Sequence, residues 1–186
     1  MSKLIGVILA GGKSKRMGVD KSTMAFREKE MIAYSIDALK KHTDTIYISS
    51  NNEKHQQWGY PVLEDAIKNI GPLSGIYSAL IKTQSSIIVL PCDSPFVESK
   101  FIQFLIQEMD SANEVFVPSV TGKLEPLFAI YKPSIIPIIK QQIEKKDYKV
   151  SQLFSQCKTK VIPIDSVFSA QNFVNINSPK DKKDYE

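Results

Sequence analysis

Leu4-Ile5-Gly6-Val7-Ile8-Leu9-Ala10 is an apolar, β-branched run of strand length that empties directly into Gly11-Gly12, and Lys13, Lys15, Arg16 and Lys21 follow close behind. Glycine has no Cβ, so such a loop can bring backbone N–H groups close to an anion and take positive φ at little steric cost. Lysine and arginine add charge-assisted hydrogen bonds, and arginine can hold two phosphate oxygens at once. A Gly-Gly pair alone would mean only a tight turn with a solvated basic edge. Four cations beside it point to a polyphosphate. The glycines do not fit the two widespread phosphate signatures, since a terminal Gly-Lys-Ser/Thr is missing and the Gly-x-Gly-x-x-Gly spacing is not met.

The 186 residues suffice for one domain with a proper core, and 42% hydrophobic with 24% charged residues is ordinary for a soluble globular chain. A net charge of +4 suits an anionic small molecule; nucleic-acid binding would call for a basic stripe with interleaved aromatics, which is absent from the sequence. Cys92 and Cys157 lack metal-ligand or Cys-x-x-Cys spacing and read as reduced thiols, so a cytoplasmic setting is expected. No apolar run approaches the roughly 20 residues of a membrane span, and none reads as a signal peptide.

Strands and helices alternate along the chain, which predicts an α/β fold with a mainly parallel sheet and helices on both faces. Thr23 to Phe26 reads as extended and 27–30 as a polar turn. A helix carries Ile32, Ile36 and Leu39 inward, with Lys40 and Lys41 in its last turn. Strands follow at 45–49 and 60–63, then a helix over 73–82 burying Ile76, Leu80 and Ile81. Ser86 to Leu90 is apolar without alternation, as expected of a central strand buried on both faces. Further elements are a helix over 98–109, a strand over 114–118, a flexible loop over 120–125, a buried strand over 126–131, helices near 134–145 and 150–154, a strand over 160–164, and a helical or frayed end from Lys180.

Several polar residues fall where open parallel sheets bind ligands, beyond the carboxyl ends of strands. Asn51 and Ser49 are both open as nucleotide contacts after the second strand, against the plainer reading of an Asn turn. Asp65 follows the third; guanine offers two adjacent donors, N1–H and the 2-amine, that one carboxylate can accept together, whereas adenine does not. Asp93 follows the central strand, where a carboxylate beside polyphosphate can hold Mg²⁺ or can simply cap a turn.

Residues 9 to 21, Leu-Ala-Gly-Gly-x-Ser-x-Arg-Met-Gly-x-Asp-Lys, resemble the signature loop of the molybdenum cofactor guanylyltransferase (MobA) family of nucleotidyltransferases. Four further stretches are similar to family motifs in the same order: Gly71-Pro72-Leu73-Ser74-Gly75, Pro91-Cys92-Asp93-Ser94-Pro95-Phe96, the segment 122–131, and Phe173-Val174-Asn175-Ile176-Asn177-Ser178-Pro179. The turn at 27–30 lacks the glycine that family members often carry. The resemblance spans nearly the whole chain and implies a three-layer αβα, Rossmann-like fold in a single domain, 1–186, with a nucleotide-binding part to about residue 100 and an acceptor-binding part beyond it.

It also implies transfer of GMP from GTP to molybdenum-loaded molybdopterin with Mg²⁺. The nucleotide site would then comprise Leu9, Ala10, Gly11, Gly12, Lys21, Asn51, Asp65, Gly71 and Gly75. Arg16 would hold the triphosphate, Lys21 the α-phosphate region and Asp93 the metal. Asn175 and Asn177, on one face of a strand by the period of two, would grip the pterin or a phosphate. Lys123 and Glu125 would lie near the second substrate. Molybdoenzyme chaperones or other cofactor-biosynthesis proteins are the implied protein partners. The competing readings are a cytidylyltransferase, transfer to some other phosphorylated acceptor, or a non-catalytic nucleotide-binding adaptor on the same fold.

Overall fold

The structure, a computed structural model, describes residues 4–11 and 21–185, without the side chains of Lys21 and Pro179. The chain forms β1 (Ile5–Leu9), a hairpin of β2 (Ala25–Phe26) and β3 (Lys29–Glu30), α1 (Met31–Leu39), β4 (Ile46–Ser49), β5 (Val62–Leu63), α2 (Pro72–Thr83), β6 (Ile87–Pro91) and α3 (Ser99–Gln107). It continues with β7 (Val115–Val120), β8 (Lys123–Leu124), β9 (Ile130–Tyr131), α4 (Ile136–Glu144), β10 (Thr159–Pro163) and α5 (Pro179–Tyr185).

The sheet runs β10-β7-β9-β6-β1-β4-β5, with β8 paired to β7. β1 lies parallel between β4 and β6, and β9 is the antiparallel insertion that joins β6 to β7. Both faces are covered, which is why the central strands are apolar without alternation. Ile88 and Leu90 of β6 pack with Ile32, Ile36, Phe101 and Leu105 of α1 and α3, while Ile87 and Val89 pack with Leu73, Ile76, Leu80 and Ile139 of α2 and α4. The expected three-layer, mainly parallel αβα architecture is therefore present.

Several local expectations are corrected. α1 stops at Leu39, so Lys40 is its cap and Lys41 lies beyond it; Lys40 Nζ instead pairs with Asp37. Thr23, read as the start of an extended piece to Phe26, closes a 3₁₀ turn, Lys21–Thr23, and 27–30 is the turn and second strand of a hairpin. In that hairpin Arg27 takes φ 52°, the left-handed backbone that the absent glycine would have adopted freely. Glu53–Trp58, unforeseen, is a 3₁₀ helix. Ile81 is only half-buried, because α2 turns Leu73, Ile76 and Ala79 to the sheet.

The flexible loop expected over 120–125 is a tight hairpin: Val120 pairs with Lys123, and Thr121 (φ 48°) and Gly122 (φ 79°) make the two-residue turn. The buried strand expected over 126–131 is a 3₁₀ turn, Pro126–Phe128, followed by the two-residue β9. Residues 174–177 form no ladder, so the argument that put Asn175 and Asn177 on one strand face does not hold.

Phe101 ties the carboxyl half to the sheet. It is fully buried and meets Phe128, Phe168 and Phe173 edge-on at 6.5, 5.7 and 5.0 Å. Phe101→Ala should therefore cost about 3 to 5 kcal/mol of stability, read by denaturant unfolding; a loss below about 1 kcal/mol would contradict this packing.

Candidate active site

The register of β1 assembles the site. Leu9 stands opposite Ser49 on one side and Pro91 on the other. Ala10 N–H then donates to Ser49 O at 2.9 Å, and Cys92 N–H to Leu9 O at 3.1 Å. The chain segments leading to Gly11, Asn51 and Asp93 thus leave the sheet side by side. Ser50 N–H donates to Leu63 O at 2.9 Å, which adds the end of β5 and Asp65 to the same rim.

Ala10, Gly11, Ser50, Asn51, Asn52, Asp65, Lys68, Asn69, Gly71 and Pro72 line an open cleft of about 700 Å³ above that rim. Within it Asn51 and Asp65 hold each other at two points. Asn51 Nδ2 donates to Asp65 Oδ2 at 2.8 Å, and Asp65 N–H donates to Asn51 Oδ1 at 3.1 Å. The backbone after Asp65 is fastened to α2, because Ala66 N–H donates to Ser78 Oγ at 2.8 Å and Ser74 Oγ–H donates to Ile67 O at 2.6 Å. A carboxylate so oriented presents a fixed acceptor edge to the cleft. Partial burial pushes the Asp65 carboxyl above the usual aspartate range, while the hydrogen bond from Asn51 draws it partway back.

Gly71 lines the cleft with φ 73°, a backbone that suits glycine, and Pro72 opens α2 where a missing N–H is harmless. Gly75 is buried below: a Cβ there would meet Ser49 Oγ at 2.5 Å and Leu9 Cδ2 at 2.6 Å. Its bareness lets α2 settle onto β1 and β4. Ser49 lies beneath the cleft and Asn51 lines it. Leu9 takes part through its carbonyl.

Asp93 is half-buried in the turn after β6, and its carbonyl accepts Ile176 N–H at 2.8 Å. The tail is fixed there, because Ser94 Oγ–H also donates to Asn175 Oδ1. Asn175 is thereby brought to the Asp93 turn. Asn177 is exposed, and its amide donates back to Asn175 O at 3.3 Å. Gly12 and Arg16 lie outside the described residues, as does the side chain of Lys21.

Sequence reasoning missed Lys68 and Asn69, which bring a cation and an amide to the cleft; the signal was their place just before Gly71-Pro72. It also missed His55. This fully buried ring places Nε2 3.1 Å from Ser22 Oγ and 3.3 Å from Asn52 Nδ2, and stacks 4.9 Å from Trp58. His55 thus ties the 3₁₀ turn Lys21–Thr23 to the turn that carries Asn51.

Among the described residues, no three or more His, Cys, Asp or Glu side chains converge as a metal cage. One carboxylate at a strand end is nonetheless what Mg²⁺ requires when phosphates and waters supply its other oxygens.

Residues 6–161 match the family described as the MobA-like NTP transferase domain. The chain belongs to this family. It is 34% identical to a probable molybdenum cofactor guanylyltransferase of Halalkalibacterium halodurans, covering 97% of this chain and 96% of that protein. It is 37% identical to a probable molybdenum cofactor guanylyltransferase of Pyrococcus furiosus, covering 96% and 94%. Among solved structures, molybdopterin-guanine dinucleotide biosynthesis protein A of Archaeoglobus fulgidus superimposes with a TM-score of 0.82 at 22% identity, over 97% of this chain and 95% of that one. This last likeness concerns the fold shared across MobA-like transferases.

The Asn51 amide stabilises the ionised Asp65 carboxylate, so its removal has a defined sign. In Asn51→Ala the Asp65 carboxyl should titrate at higher pH than in the unsubstituted protein, as followed by carbonyl-carbon NMR. An unchanged midpoint would contradict the pairing.

Proposed function

We propose that this protein transfers GMP from GTP to the terminal phosphate of molybdenum-loaded molybdopterin, yielding the guanine dinucleotide cofactor and pyrophosphate. The observation that carries the guanine assignment is the Asn51–Asp65 pair in the cleft beside Gly11. A fixed carboxylate there can accept guanine N1–H and the 2-amine together, which neither adenine nor cytosine matches, because each sets its exocyclic amine beside a ring-nitrogen acceptor. The near full-length relatives named as molybdenum cofactor guanylyltransferases support the acceptor.

The reaction needs no protein nucleophile. An oxygen of the acceptor phosphate attacks the α-phosphorus of GTP in line, a new P–O bond forms, and the bond to the bridging oxygen breaks to release pyrophosphate. The chain's task is then to position two anions and neutralise their charge. Gly11 and Gly12 would offer backbone amides, Arg16 would bind the triphosphate and the departing pyrophosphate, and Lys21 would bind the α-phosphate. Asp93 would hold Mg²⁺, which would supply positive charge against the negative charge that develops on the phosphates. Asp65 with Asn51 sets the base, and the Asp93 turn is steadied from below by Ile176 and Asn175.

The direct test is pyrophosphate release from GTP with molybdenum-loaded molybdopterin, with CTP as the competitor. GTP should be preferred, and preference for CTP would overturn the base assignment. Asp93→Ala and Arg16→Ala should each lower turnover at least about a hundredfold, the scale on which one preorganised charge contact acts in a transition state. A near-normal rate for Asp93→Ala at saturating Mg²⁺ would sink its role.

The pH dependence follows from Asp65. Guanine donors favour the ionised carboxylate, so binding lowers its pKa, and affinity is full above the free protein's pKa and declines as pH falls through it. Because burial has raised that pKa, GTP affinity should weaken at higher pH than an ordinary aspartate would give. Asp65→Asn should bind GTP weakly with little of this dependence, as read by calorimetry from about pH 4, near the ordinary aspartate value, to about pH 8.

A further inference from the structure

Glu125 stands out once the rim is followed past Asp93. Val115 and Ile87 both pair with Tyr131, and Phe116 and Ile88 both pair with Ile130, so β7 and β6 run level on either side of β9. Carrying that register upward puts Pro118 level with Leu90. Glu125 N–H donates to Pro118 O at 3.0 Å, and Val89 N–H donates to Ala129 O at 3.0 Å, so residues 125–129 fill the gap between the two strands above β9. Glu125 therefore enters that column at the carboxyl end of the sheet, one strand spacing of about 4.8 Å from the column that delivers Asp93. Asp65 lies on the opposite side of Asp93, beyond β1 and β4.

The carboxylate there is unusual. Its side chain is only 20% exposed, and its ion-pair partner, Lys123, is 3.7 Å away and 80% exposed. Burial holds the Asp65 and Glu125 carboxyls above the usual range, whereas at Asp37, Asp110, Glu114 and Asp181 hydrogen bonds and nearby cations outweigh burial and hold the carboxyl below it. Burying an acidic group with so loose a partner costs stability unless a ligand supplies donors. The tight hairpin at Thr121-Gly122 fixes the backbone that leads to it, helped by Thr121 N–H donating to Asp165 Oδ1 at 2.6 Å.

We propose that Glu125 is the specificity residue for the acceptor, accepting the N3–H and 2-amine donors of its 2-amino-4-oxo pterin ring as Asp65 accepts the matching edge of guanine. This rests on the reaction proposed above. A pterin and a guanine carry the same pair of adjacent donors, so a protein that joins them needs two such carboxylates, one on each side of the reacting phosphates. In that reaction the Asp65 side takes the nucleotide, and Glu125 is the mostly buried carboxylate on the other.

The test compares the binding of the two ligands. Molybdopterin and GTP are titrated separately into the unsubstituted protein, Glu125→Gln and Asp65→Asn, using pterin fluorescence for the first ligand and calorimetry for the second. Glu125→Gln should bind molybdopterin about tenfold more weakly or worse, the scale of one charge-assisted hydrogen bond, with GTP affinity unchanged. Asp65→Asn should show the reverse. Glu125→Asp, which keeps the charge but withdraws it by one methylene, should lose less, and it decides by the same criterion should Glu125→Gln not fold. Unchanged molybdopterin binding in the glutamate variants, or equal losses for both ligands, overturns the proposal. Absence of pyrophosphate release by the unsubstituted protein would overturn the reaction instead, and the binding comparison would still judge Glu125.

Discussion

The parallel registration of β1 with β4 and β6 is the constraint on which the site depends. Because Leu9 is level with both Ser49 and Pro91, three chain segments that are far apart in sequence leave the sheet at one edge. The hydrogen bonds Ala10 N–H to Ser49 O and Cys92 N–H to Leu9 O continue the ladder past the last strand residues, so the exits are held at strand spacing. In a parallel sheet, slipping β1 by one residue would turn its buried side chains to the opposite face and shift Gly11 against both neighbours. The same apolar packing that stabilises the centre of the fold therefore sets the distance between the Asn51–Asp65 cleft and Asp93.

Around that fixed edge the structure uses small polar side chains to hold loops that have few apolar contacts of their own. Asn51 and Asp65 clasp each other across the cleft, Ser74 and Ser78 fasten the segment after Asp65 to α2, and Ser94 holds Asn175 beside Asp93. Ser35 Oγ–H donates to Pro91 O at 2.7 Å, so α1 supports the end of β6 from the other face. His55 performs a comparable service for the 3₁₀ turn at Lys21–Thr23 through Ser22. Preorganisation of this kind is what a reaction between two anions asks of a protein, since positioning and charge are nearly all it contributes.

Much of this was legible in the sequence, and the parts that were not share a physical cause. Continuous apolar runs announced β1 and β6 as central strands, and Asp65 and Asp93 could be placed at strand ends because the runs before them stop cleanly. The 3.6-residue stripe of α1 was equally plain, though not its end, since Lys40 serves as a cap. What escaped was set by tertiary context. The hairpin at Thr121-Gly122 reads as loose loop until β7 is known to extend to Val120. Residues 126–131 look like one strand, but Tyr131 OH donating to Pro126 O and the narrow gap between β6 and β7 shorten it to a turn and two residues. Asn175 and Asn177 look like strand partners, yet the tail has no neighbouring strand and follows Asp93 and Ser94 instead. Gly75 reads as a ligand glycine in sequence, while the structure gives it a packing role against Leu9 and Ser49.

The central claim is that one sheet edge holds a guanine nucleotide between Asp65 and a metal-bearing Asp93. A crystal structure of the protein with a non-hydrolysable GTP analogue and Mn²⁺ tests it most directly. The account predicts the base edge against Asp65 in the Ala10 to Pro72 cleft and an anomalous Mn²⁺ peak shared by Asp93 and the phosphates. A nucleotide seated elsewhere, or a manganese peak away from Asp93, would contradict it.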